Sequence, residues 1–272
     1  MKAYIQQLIG EHANILTKKS LVKEYLQARV LQAVQESGAF ISWAFLGGTA
    51  LRFLYNIPRY SEDLDFSVRR AGEDSGFEAV LLNIKSMFQA ENYTINIKVS
   101  PPKTVMSAFL KFPGLFHELG ISPYSTETVS IKLEIDTNPP AGAAFETKII
   151  RRHVIVQVMQ YDKASLFAGK VHAILSRSYT KGRDIYDLVW YLSDPAWPFP
   201  NVHLLNAALK QTGWKGKEIT EKSIATILSE RMNELKWNAV AADIQPFLER
   251  PSDLQLLTRE NCLRLIDDRF SQ

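Results

Sequence analysis

The chain has one cysteine, Cys262, among its 272 residues. That excludes a disulfide framework and a cysteine-based zinc site, and it predicts a reducing compartment. The five histidines (His12, His117, His153, His172 and His203) show no ligand spacing, so no histidine zinc site is expected either. There is no G-x-S-x-G elbow and no Walker phosphate loop, which removes two common routes to acyl transfer and triphosphate binding. No apolar run approaches the roughly 20 residues that cross a bilayer. The start, MKAYIQQLIGEHANIL, lacks the basic end and continuous apolar core of a secretory leader. The expectation is a cytoplasmic protein with no membrane partner. Internal repeats and low-complexity segments are missing as well.

What is present suits a globular protein. Hydrophobic residues make up 46% and charged residues 22%, enough for a real core in one large or two modest domains. A net charge of +3 is too small to argue for nucleic acid by itself. Its distribution is uneven: residues 141–190 carry eight Lys/Arg (Lys148, Arg151, Arg152, Lys163, Lys170, Arg177, Lys181 and Arg183) against Glu146, Asp162, Asp184 and Asp187. Such an excess serves either a phosphate-facing surface or an ordinary solvated face.

Apolar spacing predicts a helix from Ser20, as its cap, to about Ser37, closed by Gly38. Residues 40–46 read as a short buried strand, broken by Gly47-Gly48, and Thr49 opens a helix. In residues 63–68, Leu64, Phe66 and Val68 alternate with Asp63, Asp65 and Ser67, a period-2 strand with one acidic face. Residues 76–89 read as a helix, and strands are predicted over 93–99, 105–112, 128–136 and 148–158. From about Asp162 the pattern turns helical. The fold class is therefore mixed α/β: a mixed-sheet lobe over residues 1–160, then a helical C-terminal lobe over 161–272.

Two aspartates at i and i+2 on a strand point the same way, about 7 Å apart. Mg²⁺, or Mn²⁺ in its place, binds through one or two carboxylates plus waters and substrate phosphates. Asp63 and Asp65 have that spacing, and a cation would relieve their repulsion. Upstream, Gly47 and Gly48 at a strand-to-helix turn expose backbone N–H groups suited to a phosphate, and Thr49 adds a hydroxyl. Either feature alone is commonplace, the acids as solvated surface and the glycines as a turn; their succession points to a phosphoryl-transfer site. Arg52 and Arg59 either contact phosphate or brace the acidic strand.

Phe45-Leu-Gly-Gly-Thr-Ala-Leu-Arg52, followed by Arg59-Tyr-Ser-Glu-Asp-Leu-Asp-Phe66, resembles the first motif of DNA polymerase β-type nucleotidyltransferases. More narrowly it is similar to the AbiEii/AbiGii toxin family, over roughly residues 20–195. That plan implies a third acid on a neighbouring strand and a two-metal site. Ser130-Ile-Lys-Leu-Glu-Ile-Asp136 offers Glu134 and Asp136 on the face opposite Ile131, Leu133 and Ile135. Asp136, at the strand end, is preferred, with Glu134 as the alternative.

Leu166-Phe-Ala-Gly-Lys170 and the later Lys181-Gly-Arg-Asp184-Ile-Tyr-Asp187-Leu resemble the family's later motifs. The resemblance implies active-site roles for Lys170, Asp184 and Asp187. A lysine suits a triphosphate, and acids at i and i+3 on a helix could orient it or assist an acceptor hydroxyl. The implied activity is transfer of a nucleoside monophosphate from an NTP, with tRNA 3′ ends as the favoured acceptor. The implied setting is a toxin encoded beside a cognate antitoxin protein. A small-molecule adenylyltransferase and a non-catalytic NTP- or antitoxin-binding module are the rival readings. Trp214, between Thr212 and the lysines at 215 and 217, could stack on a base.

Overall fold

The computed structural model describes residues 2–10, 12, 14–101, 103–179 and 181–270. In chain order the elements are α1 (Lys2–Gly10), α2 (Ile15–Glu36), β1 (Trp43–Leu46), α3 (Gly47–Tyr55), β2 (Leu64–Val68), α4 (Phe77–Ala90), β3 (Asn96–Val99), β4 (Val105–Pro113), α5 (Leu115–Glu118) and β5 (Thr128–Asp136). β6 (Phe145–Ile150) and β7 (Val156–Tyr161) complete the strands. The helices α6 (Lys163–Ser176), α7 (Gly182–Ser193), α8 (Val202–Gln211), α9 (Ile224–Glu234), α10 (Trp237–Ile244) and α11 (Arg259–Phe270) follow. The fold is mixed α/β, as expected from the sequence. No helix among the described residues is long and apolar enough to cross a membrane.

Two compact units emerge. The first holds the described residues of 2–56, Tyr60–Pro139 and Thr147–Gln160; the second holds Ile57–Arg59, Pro140–Glu146 and 161–270. The short loop Ile57–Arg59 thus belongs with the helices, although it lies between α3 and β2 in the chain.

The first unit is built on a seven-stranded sheet ordered β3-β4-β5-β2-β1-β7-β6. β2 runs parallel to β5 and antiparallel to β1, and β4 runs antiparallel to both β3 and β5. Alternation works as read: Val129, Ile131, Leu133 and Ile135 are buried, while Lys132, Glu134 and Asp136 are half-buried on the other face. Phe66 meets Trp43 and Phe45, each at 5.3 Å between ring centres. Aromatic area of this kind dominates core energetics, and it holds β2 in one register.

Several boundaries differ from the sequence reading; β3 starts at Asn96 instead of Tyr93, and α3 at Gly47 instead of Thr49. α2 begins at Ile15, not Ser20, because Asn14 caps it, its side chain accepting from the N–H of Leu16 at 2.8 Å and of Thr17 at 3.4 Å. Residues 39–41 form a 3-10 turn, so the buried strand starts at Trp43. The expected strand over 148–158 is two strands, β6 and β7, joined through His153 at a φ of 63°.

That joining loop closes a buried charge cluster. Glu24 of α2, 3% exposed, accepts from Arg52 Nε at 2.6 Å and Arg152 Nη1 at 3.0 Å, with His153 Nε2 at 3.1 Å. Burial alone would raise the Glu24 pKa; His153 and the two arginines outweigh it and hold the carboxyl down at about 2. A depressed carboxylate contributes stability that is complete above its unfolded value of about 4.5 and is lost as pH falls through the folded value of about 2. The loss should reach about 3 kcal/mol. Denaturant titrations between pH 5 and 2 should show a steeper acid loss in the wild type than in Glu24→Gln. Equal slopes would remove Glu24 as a source of acid sensitivity.

The second unit packs around Tyr191, whose ring stacks on Phe167 at 4.7 Å and meets Trp197 edge-on at 4.5 Å. The half-buried Trp190 lies 5.2 Å from Trp197, which is in the core. Cys262 is buried in α11 and its thiol is pushed up to about 12 by burial, which makes it unreactive.

Candidate active site

Gly47 is the first residue of α3 and adopts a φ of 78°, a left-handed conformation that favours glycine. A Cβ built there would overlap Asp65 Oδ2 and stand 3.0 Å from Asp65 Cγ. The helix start and the Asp65 carboxylate therefore share a space that no side chain at position 47 could enter. Leu46, the cap position, supplies no side-chain bond to the helix end. This is the physical reason for glycine immediately before the acidic strand.

Register decides which later acid faces Asp65. In the parallel β2–β5 pair Asp65 lies opposite Glu134, and Ser67 lies opposite Asp136. Asp136 stands one pleat further along the strand. Its Oδ1 accepts the N–H of Asn138 at 2.9 Å, and burial holds its carboxyl above the ordinary range despite that bond. Glu134 bonds the ammonium of Lys132 at 2.7 Å on its own strand. Burial would lower the Lys132 pKa; Glu134, Asp63 and Asp65 outweigh it and raise it. Asp63, Asp65 and Glu134 thus converge electrostatically on one cation, which here is Lys132. The period-2 pattern of β5 already placed Lys132 on this face.

No group of three or more His, Cys, Asp or Glu side chains among the described residues is drawn together tightly enough to hold a metal ion. The residues still fit Mg²⁺, because that ion takes one or two carboxylates and completes its shell with water and substrate phosphate. The donors are half-buried oxygens only, and Gly47, lacking a side chain, lets the Asp65 carboxylate lie against the start of α3.

Thr49 and Arg52 both have partners within the sheet unit. The Thr49 side chain is buried and its hydroxyl donates to the backbone carbonyl of Asp63, so it locks α3 to the acidic strand. Arg52 is 2% exposed, bonded to Glu24, with its guanidinium 5.0 Å from the Tyr60 ring. It braces the sheet unit. From α2, Lys23 reaches Glu62 at 3.1 Å and Gln27 donates to the Ser61 carbonyl at 3.1 Å, steadying the approach to Asp63. No local pattern could have revealed Glu24, which lies 28 residues from Arg52.

In the helical unit a second charged cluster forms. Arg59, 2% exposed, grips Asp187 with two bonds of 2.6 Å, Nε to Oδ1 and Nη2 to Oδ2. Asp187 is wholly buried and also receives Lys170 Nζ at 2.7 Å. Lys170 meets Asp184 at 2.9 Å, and Arg177 binds the other oxygen of Asp184. Burial would lower the Lys170 pKa; Asp184 and Asp187 outweigh it and keep the ammonium charged above the ordinary lysine range. Burial would likewise raise Asp184, but Lys170 and Arg177 hold it below the usual carboxylate range. Asp184 and Asp187 therefore orient a lysine. Both carboxylates are engaged by cations, and Arg59 is a buried partner of Asp187.

The local excess of Lys/Arg over residues 141–190 does not form one free cationic face. Arg152 pairs with Glu24, Lys148 donates to the Tyr55 hydroxyl at 2.9 Å, Lys163 covers Trp197 at 4.8 Å and Arg183 covers Phe247 at 4.1 Å. His172 is half-buried, with Nε2 3.0 Å from the Thr212 hydroxyl, a packing role.

A mixed sheet sets a glycine turn against paired carboxylates on neighbouring parallel strands, the arrangement that the motifs' resemblance to nucleotidyltransferases implied. The chain belongs to the AbiEii family: the profile described as nucleotidyl transferase AbiEii toxin, type IV TA system, matches residues 29–259. The comparison with curated proteins returned no match. Three solved structures share the fold. A chain from H. pylori assigned as a nucleotidyltransferase is 16% identical, with a TM-score of 0.59, covering 93% of this chain and 95% of that one. JHP933 from Helicobacter pylori is 17% identical at a TM-score of 0.57, covering 93% and 92%. MenT4, a nucleotidyltransferase toxin from Mycobacterium tuberculosis H37Rv, is 14% identical at a TM-score of 0.57, covering 98% and 90%.

Proposed function

We propose that the protein transfers a nucleoside monophosphate from an NTP to the 3′ end of a tRNA, as the toxin of a pair with a cognate antitoxin. The observation that carries the catalytic part is the interlock of Gly47 and Asp65, with Glu134 opposite Asp65 in the β-ladder. We assign Asp63 and Asp65 to the metal and, of the two later acids, favour Glu134 over Asp136, since Glu134 lies opposite Asp65 and Asp136 opposite Ser67 in the ladder. When bound, Mg²⁺ would neutralise triphosphate charge and favour the ionised form of the attacking hydroxyl. The first-turn N–H groups of α3 at Gly47 and Gly48 are assigned to phosphate oxygens. The family resemblance implies an active-site role for Lys170, which Asp184 and Asp187 keep charged. The tRNA acceptor rests on the resemblance of the motifs to those of the family.

The protein, Mg²⁺ and each α-labelled NTP should be incubated in turn with total cellular RNA and with a panel of aminoglycosides. Label is expected in the tRNA band with one NTP and in no aminoglycoside; label on an aminoglycoside would replace the acceptor. In the same assay Glu134→Gln should lose about 10²-fold or more of activity, as expected on removing a group that stabilises developing charge. Asp136→Asn should lose far less, and the reverse order would return Asp136 to the metal set.

A further inference from the structure

The helical unit contains a cavity of about 260 Å³ between the end of α6 and the loop after α8, lined by Leu175, Leu209, Thr212, Trp214, Lys215 and Gly216 among others. Its construction fixes an aromatic plane. Gly213 turns the chain at a φ of 82°, the Trp214 indole N–H donates to the Lys217 carbonyl at 3.1 Å, and a Cβ at Gly216 would stand 2.6 Å from the indole Cε2. Two glycines and one hydrogen bond therefore seat the ring in a single orientation. Trp214 is half-buried, whereas Thr212, Lys215 and Gly216 are exposed at the mouth.

The chemistry of the walls selects among ligands. Leucines and an indole accept a flat apolar face, and no acidic side chain is among the lining residues. Lys210, Lys215, Lys217 and Lys222 are all exposed on residues 210–222, against Glu218 and Glu221. The volume lies below the roughly 300 Å³ at which drug-sized sites begin, which suits one planar ring system. A stacking platform inside a cationic rim is the usual means of gripping a single strand, since bases stack and phosphates meet lysines.

We propose that this cavity binds one unstacked base of a single-stranded RNA segment, stacked on Trp214, with the adjoining phosphates on Lys215 and the neighbouring lysines. The inference rests on the reading of the acceptor as RNA and adds where such an RNA is held.

The test is fluorescence anisotropy of the full chain with a labelled single-stranded oligoribonucleotide, without NTP, alongside transfer assays on the same RNA. Trp214→Ala should weaken binding about 10-fold and Trp214→Phe should recover most of it, as loss and retention of stacking require. Lys215→Ala, at an exposed position with no folding liability, should weaken binding and lower the salt slope by about one. In transfer, Trp214→Ala should raise KM for the RNA with kcat unchanged. Wild-type RNA affinity and salt slope in both alanine variants overturn the proposal, and if the wild type still transfers to RNA the acceptor reading stands. Binding that depends on Trp214 in a protein that never transfers to RNA overturns the acceptor reading and supports the cavity.

Discussion

Asp65→Asn is expected to reduce nucleotide transfer by about 10³-fold or more while leaving the folded state as stable as the wild type or more so. Asparagine has the shape of aspartate, so the space against Gly47 is still filled and the α3 turn is undisturbed. What disappears is the charge opposite Glu134 and near Asp63. In the absence of a divalent cation these carboxylates repel one another and lean on Lys132 for relief, so removing one charge relaxes the native state. That combination, lost activity without lost stability, marks a group retained for function. A second measurement separates a metal role from a structural one. Mg²⁺ at saturating NTP should raise the melting temperature of the wild type through linkage and leave that of Asp65→Asn nearly unchanged. A fully active Asp65→Asn protein would sink the assignment of the acidic strand.

The largest stability effect is expected at Asp187. Its carboxylate is wholly buried between Arg59 and Lys170. Asp187→Ala would strand the buried guanidinium of Arg59 with its neighbouring anion gone. Breaking one side of a buried pair costs about 3–5 kcal/mol, far more than an exposed pair contributes. Denaturant unfolding should show that loss. Arg59→Met combined with Asp187→Leu should recover much of it, because well-packed apolar groups often replace a buried pair at little cost. The recovered fold should still transfer poorly, since Lys170 would have lost one of the two carboxylates that hold it charged. Recovery of both stability and activity in the double variant would show that Asp187 serves only packing.

Residues close in sequence were the legible part of the site. Gly47, Asp63 and Asp65 are brought together by one helix and one adjacent strand, so their relation shows in spacing alone. The alternation of Ile131, Leu133 and Ile135 with Lys132, Glu134 and Asp136 was equally plain, because a strand has a period of two. Asn14 was missed as the cap of α2 because Ser20 is also a cap residue, and only the backbone bonds tell them apart. The loop at His153 was missed because residues 148–158 keep strand composition across it.

The sequence by itself determined the mixed α/β class and the acidic strand behind a glycine turn, since these rest on periodicity and short-range order, and its motifs carried the family resemblance. Only the tertiary structure decided the partners. It set Glu134 rather than Asp136 against Asp65 through strand register, and it closed Arg52 onto Glu24, Thr49 onto the Asp63 carbonyl and Arg59 onto Asp187. The reason is that a buried charge must be paired wherever the fold leaves it. The partner can lie anywhere in the chain: Arg59 and Asp187 are separated by 128 residues.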